Sequence, residues 1–152
     1  MKELLIADEE QDFVESVVNR AYLDTLPNLP FAMHLVTTID AALEELKKSV
    51  YPLVLTSEFI PDPLEGMDVR DVVFGGDVMR LLEFCVDYRP QTKVCIVSSF
   101  STNAECEELY RSFPCVVDVF MRTSSDREYK RQYKRLRKLL DEFSGTRVGL
   151  QG

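Results

Sequence analysis

Tyr51 to Asp62 reads YPLVLTSEFIPD. The stretch Tyr51 to Thr56 is strand-length and mostly apolar, and it gives way to Ser57, Glu58 and then Pro61. An apolar run without polar alternation suits a strand buried on both faces, which is how parallel sheets cover themselves. The same pattern recurs along the chain. Lys2 to Ala7 (KELLIA) ends in the acids Asp8, Glu9 and Glu10; Phe31 to Thr37 (FAMHLVT), Lys93 to Ser98 (KVCIVS) and Cys115 to Met121 (CVVDVFM) supply three more runs.

Helical periodicity fills the intervals. Gln11 to Leu26 carries Phe13, Val17, Val18 and Ala21 at helical spacing, and Pro27 and Pro30 stop it. Ala41 to Ser49 follows, with Asp40 as its candidate cap. Asp77 to Tyr88 ends at Arg89-Pro90. Thr102 to Ser112 has Ser101, Thr102 and Asn103 as candidate caps. Ser124, Ser125 and Asp126 are cap candidates for a long last helix, Arg127 to Phe143, which Ser144-Gly145 closes. Strands alternating strictly with helices predict a parallel sheet with helices on both faces, an α/β/α sandwich. In such sheets ligands sit at the carboxyl ends of the strands. That rule selects Asp8, Glu9, Ser57, Ser98 and Arg122.

Bulk properties narrow the function. A chain of 152 residues suits one domain. No apolar run reaches the ~18 residues of a membrane span, and the N-terminus lacks the pattern of a secretion signal. Residues 1–121 carry 9 basic and 22 acidic side chains, net −13, while residues 122–152 carry 9 basic and 4 acidic, net +5. The acidic body argues against nucleic acid as a partner. Cys85, Cys95, Cys106 and Cys115 lack C-x-x-C spacing, and His34 is the sole histidine. They read as free thiols of a cytoplasmic protein rather than zinc ligands. No Gly-rich phosphate loop follows the first strand, which weighs against a small flavodoxin-like enzyme or nucleotide binder.

The five strand-end positions resemble the receiver domain of two-component response regulators. LLIADEE supplies Asp8 and Glu9, where the family has a magnesium-binding acidic pair. YPLVLTSEFIPD keeps the third-strand pattern and its proline, Pro61, but sets Ser57 where the family has its phosphate-accepting aspartate. VSSF supplies Ser98 at the threonine or serine switch position, and VFMRTS supplies Arg122 at the lysine position. The resemblance spans residues 2–143, leaving 144–152 as a flexible tail. It implies the flavodoxin-like receiver fold, a five-stranded sheet in the order 2-1-3-4-5.

Three departures stand out: Ser57 for aspartate, Arg122 for lysine, and the longer segment from Asp62 to Phe74 before Gly75-Gly76. A serine cannot form an acyl phosphate, and its hydroxyl is a weak nucleophile without a positioned base. Side-chain alternation sends Glu58 away from the pocket, and Asp62 lies beyond the proline. With the third carboxylate gone, Asp8 and Glu9 make a weak magnesium site at best. Arg122 is placed either to pair with one of them or to extend into solvent. Phe120 reads as core. The expectation is a pseudo-receiver: no enzyme and no required cofactor, acting through protein–protein contact with a histidine kinase or an output protein. The alternative is a phosphorelay receiver phosphorylated at a non-standard residue. The acidic fourth helix and basic fifth offer a homodimer through the helix 4–strand 5–helix 5 face. The 62–74 segment reads as a loop on its own body or as a lid.

Overall fold

The structure, a computed structural model, describes residues 2–10, 12–59, 77–98, 104–121, 123 and 125–145, with the first three residues of 104–121 described by backbone alone. Among these residues ten elements alternate: β1 (Glu3–Ala7), α1 (Phe13–Ala21), β2 (Ala32–Val36), α2 (Ile39–Lys48), β3 (Leu53–Thr56), α3 (Val78–Tyr88), β4 (Lys93–Ser98), α4 (Ala104–Arg111), β5 (Val116–Met121) and α5 (Asp126–Ser144). The strands form one sheet in the order β2-β1-β3-β4-β5, and every neighbouring pair is parallel. This is the α/β receiver topology expected from the strand-end motifs.

Successive strand residues point to opposite faces, and the two buried clusters follow that rule. Leu5, Ala7, Val54, Val94, Ile96 and Val119 pack with α2, α3 and Tyr110 of α4. Leu4, Ile6, Leu53, Leu55, Cys95, Val97 and Phe120 pack with α1 and α5. Burial on both sides is why β3 and most of β4 carry no alternation. Phe120 is core, its ring 4.9 Å from that of Tyr133.

Several boundaries differ from the sequence reading. The first helix ends at Ala21, well short of Leu26, and Tyr22 turns inward to donate to Asp141 of α5 at 2.6 Å. A buried tyrosine hydroxyl needs a partner, and that partner lies on another element. Thr38, not Asp40, caps α2: its hydroxyl accepts the Ala41 N–H at 3.0 Å. Ser125 caps α5, accepting from Glu128 N–H, and Gly145 closes it at φ 83°. The proposed caps Ser101, Thr102 and Asn103, the 62–74 segment and the tail beyond Gly145 lie outside the described residues.

Candidate functional site

The ends of the central strands sit side by side, and their registers decide which side chains meet. In the β1–β3 pair, Ala7 lies opposite Thr56. The ladder continues one step further, with Ser57 N–H donating to Ala7 carbonyl at 2.8 Å. Asp8 and Ser57 are therefore neighbours, both buried, and alternation puts them on the α1/α5 side. Both Asp8 oxygens are engaged by the backbone: Oδ1 accepts Glu10 N–H at 3.0 Å and Oδ2 accepts Val14 N–H at 2.8 Å. The carboxylate thus organises the turn after β1 and the first turn of α1, where a negative charge suits the helix dipole. Glu9 is exposed in that turn. Ser57 Oγ is buried and, among the described residues, has no hydrogen-bond partner. Arg122 lies outside the described residues.

Ser98 belongs to a different cluster. Thr56 lies opposite Ile96, so the same register carried two residues further sets Glu58 beside Ser98. Glu58 turns to the face opposite Ser57; it is 3% exposed, and its two carboxylate oxygens accept hydrogen bonds from the Ser98 hydroxyl and the Tyr110 hydroxyl of α4. Both donors are buried as well. Burial raises the Glu58 carboxyl above its ordinary 4.5, and the two hydroxyl donors work in the opposite direction. Phe59 then takes the left-handed conformation, φ 51°, as the chain leaves the sheet.

Asp8 and Glu9 supply two carboxyl groups, both Asp8 oxygens already take backbone donors, and the described residues contain no group of three metal-ligating side chains. Cys85, Cys95 and Cys115 are buried free thiols, and burial pushes Cys85 up to about 12.

The α4–β5–α5 face carries its own ion pairs. Asp118 of β5 binds Arg111 of α4 at 3.1 Å and Arg135 of α5 at 3.1 Å, and Arg111 also holds Glu107 at 2.9 Å. Of the acids and bases offered for exchange between two copies, Glu107, Arg131, Arg135 and Arg137 take part in ion pairs within the chain. Arg137 is anchored too: it donates to Ala21 carbonyl, Asp24 and Asp141, and stacks 4.0 Å over the Tyr22 ring.

Tyr110 was missed by sequence reading. Its helix is acidic, and among its described side chains Leu109 and Tyr110, with Phe113 just beyond, mark an inward face. That amphipathic hint identifies burial but not a carboxylate partner 52 residues earlier.

The fold has many solved counterparts. A CheY-like response regulator receiver domain from Methanospirillum hungatei JF-1 superposes with a TM-score of 0.61, 16% identity, and coverage of 95% of this chain and 98% of its own. The beryllofluoride-activated receiver domain dimer of NtrC4, a protein from Aquifex aeolicus, gives 0.60, 14% identity, and 92% and 99% coverage. The receiver domain of the Francisella response regulator 1452 gives 0.55, 15% identity, and 90% and 99% coverage. No protein-family profile matches the chain, and no curated protein sequence matches it. The likeness establishes the receiver fold.

No helix among the described residues is long and apolar enough to cross a membrane.

Proposed function

We propose that this chain is a receiver-type signalling module that works by protein–protein contact, without aspartyl phosphorylation. The observation that carries the reading is the division of strand-end chemistry between two faces. Beside Asp8 stands a hydroxyl, Ser57, which cannot form an acyl phosphate. The adjacent carboxylate, Glu58, is buried and already committed to Ser98 and Tyr110. In a phosphate-driven switch, the strand-four hydroxyl must be free to seek a new anion; here an internal carboxylate occupies it. A resident acceptor of this kind favours one conformation over a ligand-biased pair.

Partners on this reading are signalling proteins, a histidine kinase or an output protein among them. A homodimer through α4, β5 and α5 would have to draw on charges that Asp118, Arg111 and Arg135 already share. The test is direct. The protein is incubated with acetyl phosphate and magnesium, and its intact mass is measured. In parallel, amide NMR spectra are recorded with and without beryllofluoride. The expected result is no phosphoryl adduct and no shift of the Ser57, Glu58 or Ser98 amides. A stable adduct on any residue of the site would overturn the reading in favour of a phosphorelay receiver with a non-standard acceptor.

A further inference from the structure

Between the end of α1 and the first half of α5 runs a groove of about 550 Å³. Arg20, Lys130, Lys134 and Arg137 supply its cations against one carboxylate, Asp126, and Tyr129 and Tyr133 line it with aromatic surface. Its volume falls in the ~300–1,000 Å³ range of clefts that take a ligand or a few side chains. Arg137 is consumed by Asp24 and Asp141. Among the described residues no carboxylate pairs with Arg20, Lys130 or Lys134, although Arg20 lies 5.6 Å over the Tyr133 ring. Leu23, 68% exposed, stands on the rim. Unpaired cations, half-buried tyrosines and an exposed aliphatic side chain together are the composition of a binding surface rather than of a solvated helix face.

We infer that this groove docks an acidic protein segment carrying an apolar side chain, the apolar group lying on Tyr129 and Tyr133 and the acids meeting Arg20, Lys130 and Lys134. Charge over the rest of the molecule favours this occupant. Residues 1–121 carry net −13, so an acidic partner is repelled from most of the surface and steered to the basic strip. A nucleic acid has an extended run of phosphates and would meet that repulsion along its length, whereas a short segment need touch only the groove.

The inference rests on the contact-module reading, but its assay contains no phosphodonor, so the two can fail separately. The probe is a short fluorescein-labelled peptide of alternating aspartate and glutamate around a central leucine. Its glutamine and asparagine counterpart and a random single-stranded oligodeoxynucleotide serve as comparators. Anisotropy is measured against the full chain, the doubly reversed variant Lys130→Glu/Lys134→Glu, and the control Lys47→Glu/Lys48→Glu on α2. Saturable binding of the acidic peptide is expected, weakened about ten-fold or more by the α5 reversal and by raised salt, and unaffected by the control. Amide shifts in the wild-type protein should centre on Arg20, Leu23, Tyr129 and Tyr133. Unchanged melting curves for both variants keep the comparison clean, and the shift map gives an independent result if a variant unfolds. Absence of saturable binding, equal binding by the α5 variant, shifts centred elsewhere, or oligonucleotide binding as tight as peptide binding would each overturn it.

Discussion

Replacing Glu58 by alanine and by glutamine separates what its shape contributes from what its charge costs. Alanine removes the acceptor shared by the Ser98 and Tyr110 hydroxyls, at sites 1% and 0% exposed. A buried hydrogen bond of this kind is worth ~1–3 kcal/mol, so losing two costs about 2–6 kcal/mol before any cavity is counted. For a domain of this size 1 kcal/mol moves Tm by ~2–4 °C, which predicts a fall of roughly 5–20 °C for Glu58→Ala. Glutamine keeps the volume, accepts one hydroxyl through its carbonyl and donates to the other through its amide. The pH dependence has a definite sign. Burial raises the folded-state pKa of Glu58 above the unfolded 4.5. Folding therefore favours the protonated acid. The contribution of Glu58 to wild-type stability is greatest below pH 4.5 and declines as pH rises through the raised value. Glu58→Gln lacks that decline. Urea or thermal unfolding of both proteins between about pH 4 and 8 should show the variant gaining on the wild type as pH rises. An unchanged Tm for Glu58→Ala, or a glutamine-minus-wild-type difference that stays flat across the range, would refute the placement of the carboxyl group between its two donors.

Two further outcomes check the packing that holds α5 to the body. Arg137→Lys keeps the charge but loses the flat stack on Tyr22 and the forked contacts to Ala21, Asp24 and Asp141. It should cost about 1.5–3 kcal/mol in a urea titration, because a lysine cannot replace a guanidinium in such a setting. Gly145→Ala puts a Cβ on a residue at φ 83° with nothing among the described residues within 4 Å of it, so backbone strain is what opposes the change. A loss of ~1–2 kcal/mol, with no change in the near-ultraviolet spectrum, is expected.

The sheet was legible because its strands declare themselves. KELLIA, YPLVLT and KVCIVS are buried on both faces almost throughout, so hydrophobic run length and flanking turns were sufficient to find them. The first helix was overextended because its apolar spacing continues past Ala21 through Tyr22 and Leu26, yet Tyr22 is drawn to Asp141, 119 residues away. No local pattern announces that contact. Asp40 as a cap failed for a simpler reason: Thr38 precedes it, takes extended geometry, and has its hydroxyl in reach of Ala41 first.

The site was only half legible, and the missing half is a matter of register. Motif position aligns Ser57 with Ser98 because each stands at the end of its run, and from that alone one expects them to share a pocket. Parallel strands need not end level with each other. With Thr56 opposite Ile96, the residue beside Ser98 is Glu58, and a one-residue offset in a parallel ladder exchanges one face of the sheet for the other. Asp8 escapes this because β1 and β3 end in step, Ala7 opposite Thr56. The offset is what gives the buried carboxylate its partners. A glutamate one position earlier would stand beside Asp8, where two like charges would raise each other's pKa values or demand a cation. At its actual position it meets hydroxyls instead, which can donate to it without adding charge. The serine beside Asp8 and the glutamate beside Ser98 are thus complementary choices. The first keeps a second negative charge away from the acid at the end of β1, and the second supplies an acceptor to a buried hydroxyl at the end of β4.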